Sequence, residues 1–463
     1  MNNYLLSSFM PGRLIGKKNR RYYYMDDGQV KRSIKNLWDR PRKNVQDKAV
    51  CILCRGVKML CGKEQCPVIV KNYSKVRSES LINSTTLDGA SPPSVFIGRI
   101  GYPKVSIGPM VPPVHGDTAF MDTPELWSNI DIKQLVEFRT NLVRGKLPVL
   151  VTDVESSNKI VELTRELALA KTSPEVEVEF SKIPSGQIAL NDIEQPHGPS
   201  APITKFDVDN IKIDTRLEKA FYDGDLKARE AVIDLFKNGA LVSQLQKAFS
   251  VGAFGLNDNR KFVPTRWSIT AVDSTLGEHL MKFTKQYHWI NEFRVYINTH
   301  LDNRWAILMM PSQWSYELIE AWYPNTTWNP DGVKVSIMGS HEGYSGRRTY
   351  AEIGGCYYAA RLAVNEKLNE EHRQAAVVIL REAHPGYILP VGVWNVRENV
   401  RKALKTQPAK FDTIKDAFNH ISKVMSIPIS KWLETSAILK DHLFQTKLDS
   451  YGMKLNEFKM DKS

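Results

Sequence analysis

Two groups of side chains in this sequence have the types and spacing for chemistry. The first is Cys51-x2-Cys54-x6-Cys61-x4-Cys66. Four thiolates this close, with glycines between them for tight turns, suit a tetrahedral Zn²⁺. Four cysteines close the coordination shell, so the metal expected here is structural. In a reducing compartment two disulfides would be the weaker reading. Cys356 stands apart in an apolar helical pattern and reads as a buried free thiol.

The second group lies between Gly339 and Glu382. His341, Glu342, Arg347, Arg348 and Glu352 crowd around Gly339, Gly343, Gly346 and Gly354, just ahead of a helical pattern. Glycines let backbone approach a ligand, and amides at a helix start suit anions. Carboxylate–histidine pairs can move a proton, which makes His341, Glu342, Glu352 and His384 candidates for acid/base work. Arginine forks suit phosphate oxygens, and Arg266, Arg347, Arg348 and Arg381 are the candidates. The alternative is a salt-bridged helix entry with a polar loop. His341-Glu342 begins like H-E-x-x-H, but position 345 is Ser, so that zinc motif fails. There is no P-loop, no G-x-G-x-x-G after a strand and no G-x-S-x-G elbow. His115 with Asp117 could serve a metal or a proton transfer, or form a turn with satisfied polar groups.

These residues need elements to position them. From Tyr350 to Leu368 the apolar spacing predicts a helix, then Ala375 to Leu380 a buried strand, then a helix capped by Asn395. Leu147–Val151, a helix near 157–171 and Glu175–Phe180 give strand–helix–strand order. Residues 91–113 carry six prolines and three glycines and predict short edge strands. Residues 184–204 read as a long loop, and 214–249 as helical. Arg266–Thr270 reads as a short strand, with Asp273, Ser274 and Thr275 capping the next helix. A hairpin is expected over 292–310, a helix over Gln313–Trp322 and a strand over Val333–Met338. The density of Trp305, Trp314, Trp322 and Trp328 suggests core. The fold class expected is α/β (or α+β), a mixed sheet with flanking helices, preceded by a small zinc-binding basic module.

The chain has 463 residues and a net charge of +12. Residues 1–75 hold 17 Lys/Arg against 5 Asp/Glu, and the other 388 residues hold 46 of each, so the whole surplus sits at the N-terminus. Arginine and lysine alternate there with Tyr22, Tyr23, Tyr24 and Trp38. A basic segment on a neutral body suits a polyanion such as DNA, with aromatic faces for stacking. The same segment could be a solvated basic tail, its aromatics anchored to the body. No apolar run reaches membrane-span length and no signal peptide is evident, so a cytoplasmic protein is expected.

The cysteine cluster, SPPSVFIGRIGYPKVSIGPMVPP, GDTAFMDTPELW, VPTRWSITAVDSTLG, HEGYSGRRTYAEIGG and REAHPGYILPVGVWNVRENVRKAL together resemble the archaeal Nre family of DNA repair proteins. The resemblance covers nearly the whole chain. It implies a family N-terminal domain to about residue 335 and a C-terminal one beyond. It also implies a C-terminal motif that binds the sliding clamp PCNA. Gln445, Leu448 and Tyr451 match that motif, although Gly452 stands where a second aromatic would be. No catalytic residue carries over.

The expected organisation is a basic zinc module over 1–75, an α/β domain over 76–335, a helix–strand–helix region over 336–440 and a tail over 441–463. The function expected is DNA damage repair: binding DNA through the basic segment and PCNA through the tail, with other repair factors as further partners. The alternative is an enzyme acting on a nucleic-acid or nucleotide phosphate around His341–Glu352. Convergence of the candidate residues in one cleft would favour the enzyme.

Overall fold

A computed structural model describes residues 83–185, 197–329, 332–387 and 390–444. The cysteine cluster and the Gln445–Tyr451 motif lie outside these residues.

The first half builds a six-stranded mixed sheet. Its strands are β1 (Thr86–Ala90), β2 (Lys104–Ile107), β3 (Met110–Val111), β4 (Val143–Leu150), β5 (Glu175–Phe180) and β6 (Ser200–Val208). The spatial order is β1-β5-β6-β4-β2, with β3 also on β4; β4 and β6 run parallel and the other pairs antiparallel. Helix α1 (Ile132–Asn141) precedes β4, and α2 (Lys159–Leu169) follows it, capped by Asn158. Strand β5 alternates Glu and apolar residues, so Val176, Val178 and Phe180 face inward. They pack with α2 and the helices α3 (Thr215–Tyr222), α4 (Ala228–Lys237) and α5 (Val242–Ser250) in one core.

The expected loop over 184–204 is corrected at its end, because β6 already begins at Ser200. Pro199 and Pro202 hid it; the ladder with β5 slips around Thr204 and ends at Ile203, so Pro202 lies beyond it.

The long helix α6 (Thr265–Thr284) joins the halves. It replaces the short strand expected at Arg266–Thr270. Residues 268–277 are all buried, so no amphipathic stripe announces the helix. Asp273, Ser274 and Thr275 are therefore interior residues and not caps. A Cβ at Gly277 would lie 3.6 Å from the backbone at Leu362 on α7 (Gly355–Glu370), so the two helices pack closely there.

The second sheet has the order β10-β9-β11-β8-β7-β12. Its strands are β7 (Phe293–His300), β8 (Asn303–Met310), β9 (Ser315–Trp322), β10 (Ser336–Glu342), β11 (Ala376–Ala383) and β12 (Ala409–Phe411). The hairpin turns at Leu301-Asp302, both at positive φ, as a two-residue connection requires. Strand β9 overturns the expected helix over Gln313–Trp322. Its apolar run copies helical spacing because helices cover both faces of the sheet, leaving no polar alternation. Trp314, Tyr316 and Leu318 pack toward α7 and α8 (Trp394–Leu404), whereas Ile319 and Ala321 pack toward α9 (Ile414–Ile421), α10 (Ile429–Thr435) and α11 (Ala437–Phe444). Strands from both sides of residue 335 interleave in this one sheet. The four tryptophans are buried. Asn395 lies inside α8 instead of capping it. Among the described residues no helix is long and apolar enough to cross a membrane.

Candidate functional site

The candidate residues between 339 and 384 fall into separate clusters. His341 and Glu342 end β10, and Glu342 lies opposite Tyr316 of β9, itself opposite Val377 of β11. Glu382 lies opposite Ala321, itself opposite Ile337. Five residues of strand, about 17 Å, therefore separate the two ends.

At the first end, Glu342 is buried and accepts from Arg361 at 2.9 Å and from the Trp314 indole at 3.3 Å. Arg361 also donates to Ser274 at 3.2 Å. His341 is exposed. Arg347 donates to the His341 carbonyl at 2.7 Å and pairs with Glu352 at 3.0 Å, whose other contact is the Ser340 hydroxyl. These bonds hold Glu352 below the usual carboxylate range against its partial burial. Gly354, at φ 75°, makes the turn into α7, where a Cβ would be strained. Arg348 is exposed.

At the other end, Arg381 and Glu382 point to opposite faces. Arg381 donates to Glu320 at 2.6 Å and Asn303 at 2.9 Å, with its guanidinium over Trp305 and Trp322. Glu382 accepts from the backbone N–H of Ile427 at 2.7 Å and of Ser426 at 3.1 Å, and lies 3.0 Å from His384. Arg266 sits in the first turn of α6, remote in the chain from both ends. Buried carboxylates therefore occupy most of the chemistry offered by this stretch, and their partners are structural cations and amides.

What does converge is a chain of buried polar contacts between the two sheets. Asp122 accepts from Arg139 and, at 2.5 Å, from Ser94. A cavity of about 30 Å³ beside it, large enough for one water, is lined by Gln246, Lys247 and Thr265. Gln246 donates to Asp273 at 2.9 Å, and Arg397 of α8 pairs with Asp273 at the same distance. Burial pushes the Asp273 carboxyl up to about 6 despite Arg397. Glu125 accepts from Ser243 at 2.7 Å. The blocks SPPSVFIG, GDTAFMDTPELW, VPTRWSITAVDSTLG, HEGYSGRR and NVRENVRKAL thus meet through Ser94, Asp122, Asp273, Ser274, Glu342 and Arg397. Arg139, Lys247, Arg361 and Glu320 were not singled out from sequence, because their partners are distant in the chain. A cleft of about 440 Å³ between α7 and α8 is lined by Glu366, Glu398 and Arg401, whose charges pair with one another.

His115 meets Glu175 at 2.8 Å and Asp88 at 3.9 Å, whereas Asp117 bonds the Ala119 amide. The donor atoms of Asp88, His115 and Glu175 lie within 4.8 Å of one another on the surface, close enough to hold a divalent cation. The hydrogen bond that His115 donates to Glu175 raises the His115 pKa.

Comparison with known proteins places the chain in a family. Residues 60–329 match the family model "Archaeal Nre, N-terminal", and residues 342–451 match "Archaeal Nre, C-terminal". The chain is 42% identical over 391 residues to DNA repair protein NreB of Archaeoglobus fulgidus, covering 84% of this chain and 97% of that one. It is 38% identical to DNA repair protein NreA of the same organism, covering 81% and 93%. It is 33% identical to DNA repair protein NreA of Haloferax volcanii, covering 76% and 86%. No solved structure matches it. With both family models matched in chain order and relatives aligned along nearly their full length, this chain belongs to the archaeal Nre family.

Proposed function

We propose that this protein is a DNA repair factor that works by binding and recruitment. Residues 1–75 hold DNA, Cys51, Cys54, Cys61 and Cys66 hold a structural Zn²⁺ there, and Gln445, Leu448 and Tyr451 dock on PCNA. The observation that carries the reading is the kinship with proteins named for DNA repair, joined to a charge surplus confined to residues 1–75. The geometry supports binding over catalysis, because His341 and Glu342 stand about 17 Å along the sheet from Glu382 and His384. The Glu342 and Glu382 carboxylates are spent on structural partners.

The test is the salt dependence of DNA binding by the full chain. With about five phosphates neutralised by residues 1–75, that segment should contribute about −4 to −5 to the log–log slope. Replacing Lys17, Lys18, Arg20 and Arg21 by Ala should flatten it by roughly 3 to 4. An unchanged slope would move the interface elsewhere. For the clamp, Leu448→Ala with Tyr451→Ala should abolish PCNA binding, and retention would remove those residues from the role.

A further inference from the structure

One edge of the first sheet carries an unused basic face with an apolar tip. The register sets Lys104 opposite Leu150 and Ser106 opposite Pro148, so these four share a face, and alternation adds Lys146 and Arg144. The opposite face carries Val105 and Ile107 into the core. Lys104, Pro148 and Leu150 are exposed, as is Lys182 nearby. Among the described residues no carboxylate lies within ion-pair distance of Lys104, Lys146 or Lys182. Burial and the charges of Arg144 and Lys182 lower the Lys146 pKa, as in a patch where cations see mainly cations. The sheet's exposed acids, Asp88, Glu175 and Glu177, sit on the β1–β5 side.

The loop from Gly98 to Pro103 rises at the end of this face. Ile100 at its tip is 87% exposed, and Tyr102 is 37% exposed. Gly101, at φ 85°, closes the tip, with Lys104 N–H donating to its carbonyl at 3.0 Å. The base is stiff. Ile97 and Thr265 exchange hydrogen bonds, each 2.9 Å, and Tyr102 packs on Trp267 with ring centroids 5.1 Å apart. Arg144 is clamped beneath, donating to the Ser106 carbonyl at 2.9 Å with its guanidinium 4.0 Å from the Phe96 ring. A bare aliphatic side chain on a rigid turn, flanked by cations, matches the wedge of proteins that kink DNA from the minor groove.

We propose that this face is a second contact to duplex DNA. Lys104, Lys146 and Lys182 meet backbone phosphates, and Ile100 enters between base pairs. This rests on the reading that the protein binds DNA, and adds to it a place and a mode. The exposed apolar groups here, Ile100, Leu150, Pro148 and the Tyr102 edge, share the face with three lysines, and that charge favours a polyanion over an apolar partner.

The experiment uses the full chain, duplexes carrying 2-aminopurine, and anisotropy titrations over a range of salt. Lys104→Ala with Lys146→Ala should flatten the slope by about 2. Ile100→Ala should keep most affinity but lose the rise in 2-aminopurine fluorescence that unstacking produces. If the Lys146 variant loses its thermal transition, Lys104→Ala with Lys182→Ala replaces it. A folded double variant with the unaltered slope overturns the proposal and leaves the N-terminal reading intact. A wild-type complex without fluorescence rise overturns the wedge. Vesicles of anionic lipid captured in an Ile100-dependent way, with DNA binding unchanged, would assign the face to a membrane. A full chain that binds no duplex removes both readings.

Discussion

Glu342 and Arg361 show how differently the arginines of one stretch are used. Both side chains are almost fully buried at 2.9 Å, so Arg361→Met would strand a charge in the core. Such a loss costs about 3–5 kcal/mol, read as a fall in urea midpoint. Arg347→Ala should cost about 1 kcal/mol at most, because Glu352 stays hydrated. His197 offers a pH test. Burial and the charges of Arg144, Arg139 and Lys146 pull its imidazole down to about 3. The unfolded value is near 6.5, so the contribution is present above about pH 6.5 and is lost as pH falls toward 3. About 2 kcal/mol should disappear between pH 6.5 and 4.5. His197→Phe, which keeps the ring against Phe96, should flatten that limb in denaturation at several pH values.

At the scale of elements, buried carboxylates tie the C-terminal helices to the sheet. Glu317 of β9 accepts from the amides of Ala437 and Ile438, at 2.9 and 3.2 Å, and from the Ser436 hydroxyl. It therefore caps α11 from another element, satisfying donors that the helix cannot pair itself. Glu317→Ala should cost about 3 kcal/mol and open α10 and α11 first. Hydrogen exchange checks this: amides of 429–444 should lose protection while those of β8 and β11 keep it. Uniform loss of protection would mean that the helices and sheet unfold as one unit.

At the scale of the molecule, the second sheet takes β7, β8 and β9 from before residue 335 and β10, β11 and β12 from after it. A fragment ending at 335 would lose β11 from between β8 and β9 and bare two apolar edges. It should aggregate on expression, whereas the full chain stays monodisperse by light scattering. The proposed zinc module is independent of that sheet in sequence. Purified full-length protein should carry at least one equivalent of zinc by elemental analysis. Serine at Cys51 and Cys54 should lower the zinc content by about one equivalent, because metal binding and folding of such a module are coupled.

The sequence alone determined the features with short-range causes. Strand β5 and the hairpin of β7 and β8 were legible because alternation and turn chemistry are local. The basic N-terminal segment was legible from composition, and the family from long blocks of unusual composition. Tertiary structure decided the elements buried on every side. Helix α6 carries no readable period and strand β9 a misleading one, because both faces of each meet protein and their apolar and polar residues follow partners far along the chain. It also decided what the charged residues do. Arg381 looked like a free fork for phosphate until Glu320, Asn303 and the tryptophans closed around it. Glu342 looked like half of an acid/base pair until Arg361 arrived from α7. Ion pairs in a low-dielectric interior are chosen by position in space, and position in space is what a linear spacing does not hold.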